Sequence, residues 1–109
     1  MFIGNKSKGF CMTFDNGFEI SVQWGTMNYC SNKGQGGVDE HETTDKWKSP
    51  TAEIMISHAT PNNNDNIDLG NGDRVAGWLS TDTVAKLIGV VSSVKNVDEL
   101  NLYLKQIKL

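Results

Sequence analysis

Two alternating segments around Asp15-Asn16-Gly17 constrain this chain more than any other feature. An apolar residue at every second position is typical of a β-strand with one buried face. The apolar positions are Phe10, Met12 and Phe14 before the turn, and Phe18, Ile20, Val22 and Trp24 after it. The sequence therefore predicts a β-hairpin.

The length of the hairpin loop follows from the rule that directly paired residues share one face of a sheet. A two-residue loop would pair Asp15 with Phe18, a polar residue against an apolar one. A three-residue loop pairs Phe14 with Phe18 and collects all the apolar residues on one face, which a shift of one residue would destroy. We therefore predict a type I turn with Gly17 in the left-handed conformation as a G1 bulge.

The segment from Gly25 to Pro50 has no sustained periodicity and is rich in glycine and polar residues. Unstructured loops of this length are uncommon inside compact domains. Three interpretations stay open: a functional loop, a partly disordered segment, or a segment with short hidden structure. Trp47 favours an end that packs back onto the domain.

Two further strands are predicted, at Thr51 to His58 and at Arg74 to Leu79, separated by the turn-forming run ATPNNNDNIDLGNGD. Ser80 is suited to cap a helix, and Asn96 with Glu99 resembles a capping box that starts a second one. Helical spacing marks the apolar faces as Val84, Leu87, Ile88 and Val91, then Leu100, Tyr103, Leu104 and Ile107.

These elements predict a single α+β domain over residues 1–109. We expect a four-stranded antiparallel sheet with a long loop after strand two. Two C-terminal helices should pack on one face of that sheet.

Charge and hydropathy narrow the classes of partner. The formal net charge is −3 with no basic stripe, so a nucleic-acid partner is not expected. No apolar run approaches the roughly 18 residues of a membrane span, and the N-terminus lacks the apolar core of a signal peptide. We expect a cytoplasmic protein without a membrane partner, in which Cys11 and Cys30 are reduced thiols.

Catalytic and metal-binding signatures are weak. Cys30 with His41 or His58 has no spacing typical of a nucleophile and its base, and the two cysteines and two histidines show no zinc-site spacing. The run Asn63 to Asp68 lacks the calcium-loop pattern. We therefore predict no catalytic residue, no metal and no cofactor.

Two other features favour binding. Lys33 and the glycines after it are able to cradle a phosphate, although a flexible loop is the favoured interpretation. Trp24, Trp47 and Trp78 are able to form an aromatic platform for a base or a peptide, with Trp24 expected in the core from its position on the strand face.

A family resemblance is carried by NGFEISVQWGTMNYCSN, AEIMI and VAGWLSTDTVAKLIGVVSS. These segments resemble a family of small bacteriophage proteins. Its members have a strand ending in Asn-Gly, an aromatic-rich strand closing on Trp-Gly or Phe-Gly, an Asn-Tyr-Cys segment, an Ala-Glu strand and a Ser-x-Asp helix start. The resemblance implies a phage-type accessory protein and brings no enzymatic activity with it.

The favoured function is a non-enzymatic phage accessory protein that binds and inhibits a host protein in the host cytoplasm, such as a component of a defence system. One alternative is a small-ligand binder that sequesters a nucleotide signal, and another is a minor virion component. Association into a homo-oligomer is left open. The candidate binding residues are Met27, Tyr29, Lys33, Asp39, Glu40, Glu42 and Trp47.

Two interpretations of that loop have equal weight. Its aromatic residues are either anchors for a partner or residues that pin the loop over an open sheet face.

Overall fold

The computed structural model describes residues 1–4, 8–34, 47–59, 64–69 and 72–109. The strands along these residues are β1 Phe2–Gly4, β2 Gly9–Thr13, β3 Phe18–Gln23, β4 Trp47–Ser49, β5 Thr51–Ala59, β6 Asn64–Asn66 and β7 Ala76–Ser80. The helices are α1 Thr81–Ser93 and α2 Val97–Ile107. The predicted α+β class is confirmed.

One antiparallel sheet contains most of the strands. The order β2-β3-β5-β6 forms a four-stranded path, and β7 pairs with β5 as well. The long strand β5 is central: β3 lies along one edge, and β7 followed by β6 lies along the other. Strands β1 and β4 form a separate two-stranded sheet.

The β2–β3 hairpin has the predicted three-residue loop. Met12 pairs with Ile20, and the Phe14 N–H donates to the Phe18 carbonyl at 2.8 Å. The Gly17 N–H donates to the Phe14 carbonyl at 3.0 Å, and Gly17 has a φ of 88°. The register argument and the left-handed Gly17 are both confirmed.

The core lies between one face of the sheet and the two helices. The buried face alternates along the central strands and consists of Phe18, Ile20, Val22, Ala52, Ile54 and Ile56. The helices contribute Val84, Leu87, Val91, Leu100 and Leu104 to the same cluster. Each of the fully buried large aliphatic side chains stabilises the fold by roughly 1.5–3 kcal/mol.

Both helices begin where the sequence predicts. The Ser80 hydroxyl accepts from the Thr83 N–H at 3.2 Å, and the Asn96 side chain accepts from the Glu99 N–H at 2.9 Å. The Glu99 carboxylate accepts at 3.3 Å from the N–H of Lys95, the residue before the cap, whereas the return bond of a capping box comes from the N–H of the cap residue itself. The Asn96 cap is therefore confirmed, and the return bond is displaced by one residue.

The hairpin turn is also tied to a helix. The side-chain amide of Asn16 donates to the carbonyls of Val91 and Val94, both at 2.8 Å. The last carbonyls of a helix have no partner within the helix, so these bonds satisfy the C-terminal end of α1. The same Asn16 side chain accepts from the Phe18 N–H at 3.1 Å.

Several boundaries differ from the prediction. Strand β6 lies inside the run predicted as a loop, where its register with Ser57–Ala59 overrides the local turn propensity. Strand β4 lies inside the predicted long loop because it pairs with β1, which was not predicted at all. Strand β7 begins at Ala76 rather than at Arg74.

One face assignment needs correction. Tyr103 was placed on the buried face of α2, but it is 42% exposed. The buried pair is Leu100 and Leu104, spaced by four residues, and Tyr103 lies at its flank. Among the described residues, no helix is long and apolar enough to cross a membrane.

Candidate binding site

The first part of the predicted long loop, Gly25 to Gly34, is a turn with a dense set of hydrogen bonds. The Asn32 side chain donates to the carbonyls of Trp24 and Lys48, both at 2.9 Å. The Gly34 N–H donates to the Thr26 carbonyl at 3.0 Å and closes the turn. Because these bonds fix the backbone of the turn at both ends, its side chains have defined positions at the surface.

Glu53, on the central strand, holds the middle of the turn. Its two carboxylate oxygens accept separately, one from the Tyr29 N–H at 2.7 Å and the other from the Asn28 side chain at 3.3 Å. Asn28 in turn accepts from the Gly25 N–H at 2.9 Å. Hydrogen bonds to a charged acceptor are the stronger class, so the position of Tyr29 is set by the sheet.

A β-bulge lies opposite Glu53. Ala52 pairs with Leu79 and Ile54 pairs with Ala76, so two residues of β7, Gly77 and Trp78, oppose one residue of β5. The insertion changes the direction of the strand and turns Trp78 outward: its side chain is 56% exposed.

Trp78 has an unusual backbone conformation. Its φ is 52°, a left-handed value that costs a residue with a side chain roughly 1–2 kcal/mol. The neighbouring Gly77 is required for contact with the turn, since a Cβ atom there would lie 2.5 Å from the Tyr29 Cβ and 2.8 Å from its carbonyl oxygen. The Trp78 N–H donates to that carbonyl at 2.8 Å.

These constraints bring two aromatic rings and a cation together at the surface. The Tyr29 and Trp78 ring centroids are 5.7 Å apart with an interplanar angle of 40°, and the Lys33 ammonium lies 4.5 Å from the Tyr29 ring centroid. Tyr29 is 45% exposed although its N–H is fixed to the sheet. We call Tyr29, Lys33 and Trp78 the aromatic patch.

The predicted site residues fall into three groups. Tyr29 and Lys33 lie in the aromatic patch, and Met27, 87% exposed, lies in the same turn. Trp47 lies outside this turn: it is the first residue of β4, the strand that pairs with β1. The predicted acidic residues Asp39, Glu40 and Glu42 lie outside the described residues.

The prediction that Trp24 lies in the core is confirmed. Trp24 is buried, with its ring stacked on Phe2 at 5.4 Å and edge-on to Phe10 at 6.0 Å.

The cysteine and histidine candidates are dispersed. Cys30 is buried, and its thiol donates to the Gly25 carbonyl at 3.4 Å. His58 packs on the Phe18 ring, at the hairpin end of β5, whereas Cys30 lies beside the start of that strand. His41 lies outside the described residues. Within the described part of the chain, no three His, Cys, Asp or Glu side chains are grouped so as to hold a metal.

Glu53 and Gly77 were not predicted as site residues, and Trp78 was considered only as part of an aromatic platform with Trp24 and Trp47. Alternation along β5 places Glu53 on the polar face but does not identify its partners. A glycine inside a predicted strand is a sign of a bulge, and Gly77 beside Trp78 was the available signal.

Comparison of the chain with family models, curated proteins and solved structures finds no match.

Proposed function

We propose that this protein is a non-enzymatic accessory protein of phage type that binds and inhibits a host protein, and that the aromatic patch is the centre of its docking surface. The viral origin rests on the family resemblance of the sequence. The docking surface rests on one observation: Trp78 is exposed beside Tyr29 in a left-handed conformation that a β-bulge imposes.

An exposed tryptophan in a strained backbone conformation supports a functional role. Strained residues of this kind persist where the surrounding structure holds them, and they cluster at binding and catalytic sites. Here the bulge opposite Glu53 and the contact of Gly77 with the turn hold the conformation. The energetic cost is not recovered by burying the ring, since more than half of Trp78 is exposed.

The composition of the surface is typical of a protein interface. Tryptophan and tyrosine dominate the energetics of many interfaces, and methionine is also enriched there. A fixed backbone reduces the entropy lost on binding. Met27, Tyr29 and Trp78 supply apolar area at the surface, and Lys33 supplies one positive charge at its edge. The partner that fits this surface offers an apolar pocket with an acidic group at its rim.

A second candidate function has support from the position of Lys33. An ammonium group over the Tyr29 ring, with the Trp78 ring next to it, also suits a nucleotide: the base would stack on a ring and the phosphate would contact the lysine. This nucleotide-sequestering alternative requires the same residues, so the experiment must distinguish it from protein binding.

The test compares a tagged wild-type protein with Trp78→Ala and with the control Tyr103→Ala. Tyr103 is a suitable control because its exposure is close to that of Tyr29, yet it lies on α2. Proteins and small molecules retained from host lysate are identified by mass spectrometry, and the affinity of each purified partner is then measured by calorimetry.

A host protein that loses at least tenfold in affinity with Trp78→Ala and keeps its affinity with Tyr103→Ala supports the proposal. A retained nucleotide with the same dependence on Trp78 supports the second candidate instead. Equal binding by all three proteins would place the docking surface elsewhere and contradict both.

A further inference from the structure

Strand β2 is the edge strand of the main sheet at the end opposite to β6 and β7. Its pairing with β3 shows which backbone groups are used. The Phe14 N–H donates to the Phe18 carbonyl, and the Lys8 carbonyl accepts from the Trp24 N–H at 2.7 Å. In an antiparallel pair, hydrogen-bonded and non-hydrogen-bonded positions alternate. The even-numbered residues of β2 therefore bond to β3, and Gly9, Cys11 and Thr13 direct their N–H and C=O groups away from it.

The outer edge of β2 has no partner among the described residues. Within the described part of the chain β2 pairs with β3 alone, and Phe10 through Thr13 are all exposed. Sheet edges of folded proteins are usually protected by charge, by proline or by a covering segment. Strand β2 reads Gly-Phe-Cys-Met-Thr, which contains neither a charged residue nor a proline.

The side chains on this edge are partly apolar. Phe10 and Met12 lie on the same face as the core residues of β3, but they are 37% and 38% exposed. They lie one residue before and one residue after Cys11. A two-fold axis at Cys11 exchanges these two positions, which makes the strand complementary to itself.

We propose that β2 pairs antiparallel with β2 of a second copy of this chain, on a two-fold axis at Cys11, to form one continuous sheet across a homodimer. Cys11 opposes its equivalent as a hydrogen-bonded pair, and Gly9 opposes the partner subunit's Thr13. This register engages every outward backbone group of the strand, about six hydrogen bonds in all. Phe10 lies opposite the partner subunit's Met12, so each copy covers the exposed apolar side chains of the other.

The second copy fits this edge better than an unrelated peptide because the occupant needs two properties that β2 itself has. The N–H and C=O groups of every second residue of the occupant must be available to bond with Gly9, Cys11 and Thr13. The occupant must also carry one large apolar side chain on each side of the residue that faces Cys11. The aromatic patch is far from this edge in the strand order, next to β7, so dimerisation leaves it accessible.

Thiol cross-linking tests the register directly. The Cβ atoms of a hydrogen-bonded antiparallel pair are about 5.5 Å apart, beyond the roughly 3.5–4.5 Å that a disulfide joins but within reach of a short bis-maleimide. Each maleimide adds one Cys11 thiol across its C=C bond, the sulfur to one carbon and the hydrogen to the other, so that one linker joins the two copies. We expect a covalent dimer from the wild type and from Cys30→Ser, since Cys30 is buried, and none from Cys11→Ser.

Sedimentation equilibrium tests the association without a cross-linker. Cys11→Lys places two positive charges directly opposite each other and should raise the dimer dissociation constant at least tenfold. Cys11→Ser keeps the backbone and the small side chain, so it should leave the dissociation constant within about twofold of the wild-type value. Circular dichroism establishes that each variant is folded.

Two results would overturn the proposal. One is a wild-type protein that remains monomeric at millimolar concentration and gives no covalent dimer with the bis-maleimide. The other is a dimer that Cys11→Lys does not weaken and that the bis-maleimide does not link, which would place the interface elsewhere. If Cys11→Lys fails to fold, the cross-linking of the wild type decides the question alone.

Discussion

The β2–β3 hairpin and the turn from Gly25 to Gly34 are adjacent in the chain but are held in different ways. In the hairpin, the buried residues alternate along β3, and pairing between neighbouring strands fixes the register. In the turn, side chains from other elements bond to the backbone: Glu53 to Tyr29, and Thr51 to the Ser31 N–H at 2.9 Å. The hairpin is a product of hydrophobic periodicity, and the turn is a product of specific polar contacts.

This difference has an energetic consequence. Apolar burial is spread over many side chains and tolerates moderate change at any one of them, provided that volume is kept. A polar contact of the turn depends on a single pair of groups, and losing one partner leaves the other unsatisfied. We therefore expect the two regions to respond independently to substitution.

The largest effect is expected from the shared core. Leu87→Ala removes a fully buried side chain of α1 and should lower the free energy of unfolding by about 2–5 kcal/mol, because a cavity remains where the side chain was. Urea denaturation followed by circular dichroism measures this change. As a control, the exposed Leu102→Ala should have a far smaller effect. Equal effects of the two substitutions would contradict the packing of α1 on the sheet.

An intermediate effect is expected from Glu53→Gln, which separates the two regions. Glutamine keeps the shape of the side chain but has one acceptor oxygen where two N–H donors need one each. We expect a loss of about 1–3 kcal/mol and faster hydrogen exchange at the Tyr29 amide.

The hairpin amides provide the internal control for that experiment. The hydrogen-exchange rates of the Met12 and Ile20 amides should change only as far as the global free energy of unfolding changes. If the Tyr29 amide changes no more than these do, Glu53 does not hold the turn.

The smallest effect of the three is expected from Gly17→Val. A β-branched residue disfavours the left-handed conformation of Gly17, and we expect a cost of roughly 1–2 kcal/mol. The ring-current shifts that Tyr29 and Trp78 produce on each other should remain as in the wild type. Altered shifts at the aromatic patch would show that the hairpin and the turn are coupled, and would contradict the expectation that the two regions respond independently.

The extent to which the sequence predicts the structure follows the same division. Gly17 was predictable because only one register gives a single apolar face, and Ser80 and Asn96 because capping is a local interaction. Tyr29 was selected as a candidate from its residue type alone. Its contacts with Glu53 and Trp78 were not predictable, since these residues are 24 and 49 positions away in the numbering and no periodicity connects them to Tyr29.

The bonds from Asn16 to the end of α1 have a practical consequence for engineering. Tips of hairpin loops usually accept inserted tags or domains, because few contacts depend on them. Here the tip of the hairpin supplies the donor for two helix carbonyls that lie 75 and 78 positions later. Lengthening this loop would withdraw that donor, so an affinity tag or a circular permutation belongs at another site.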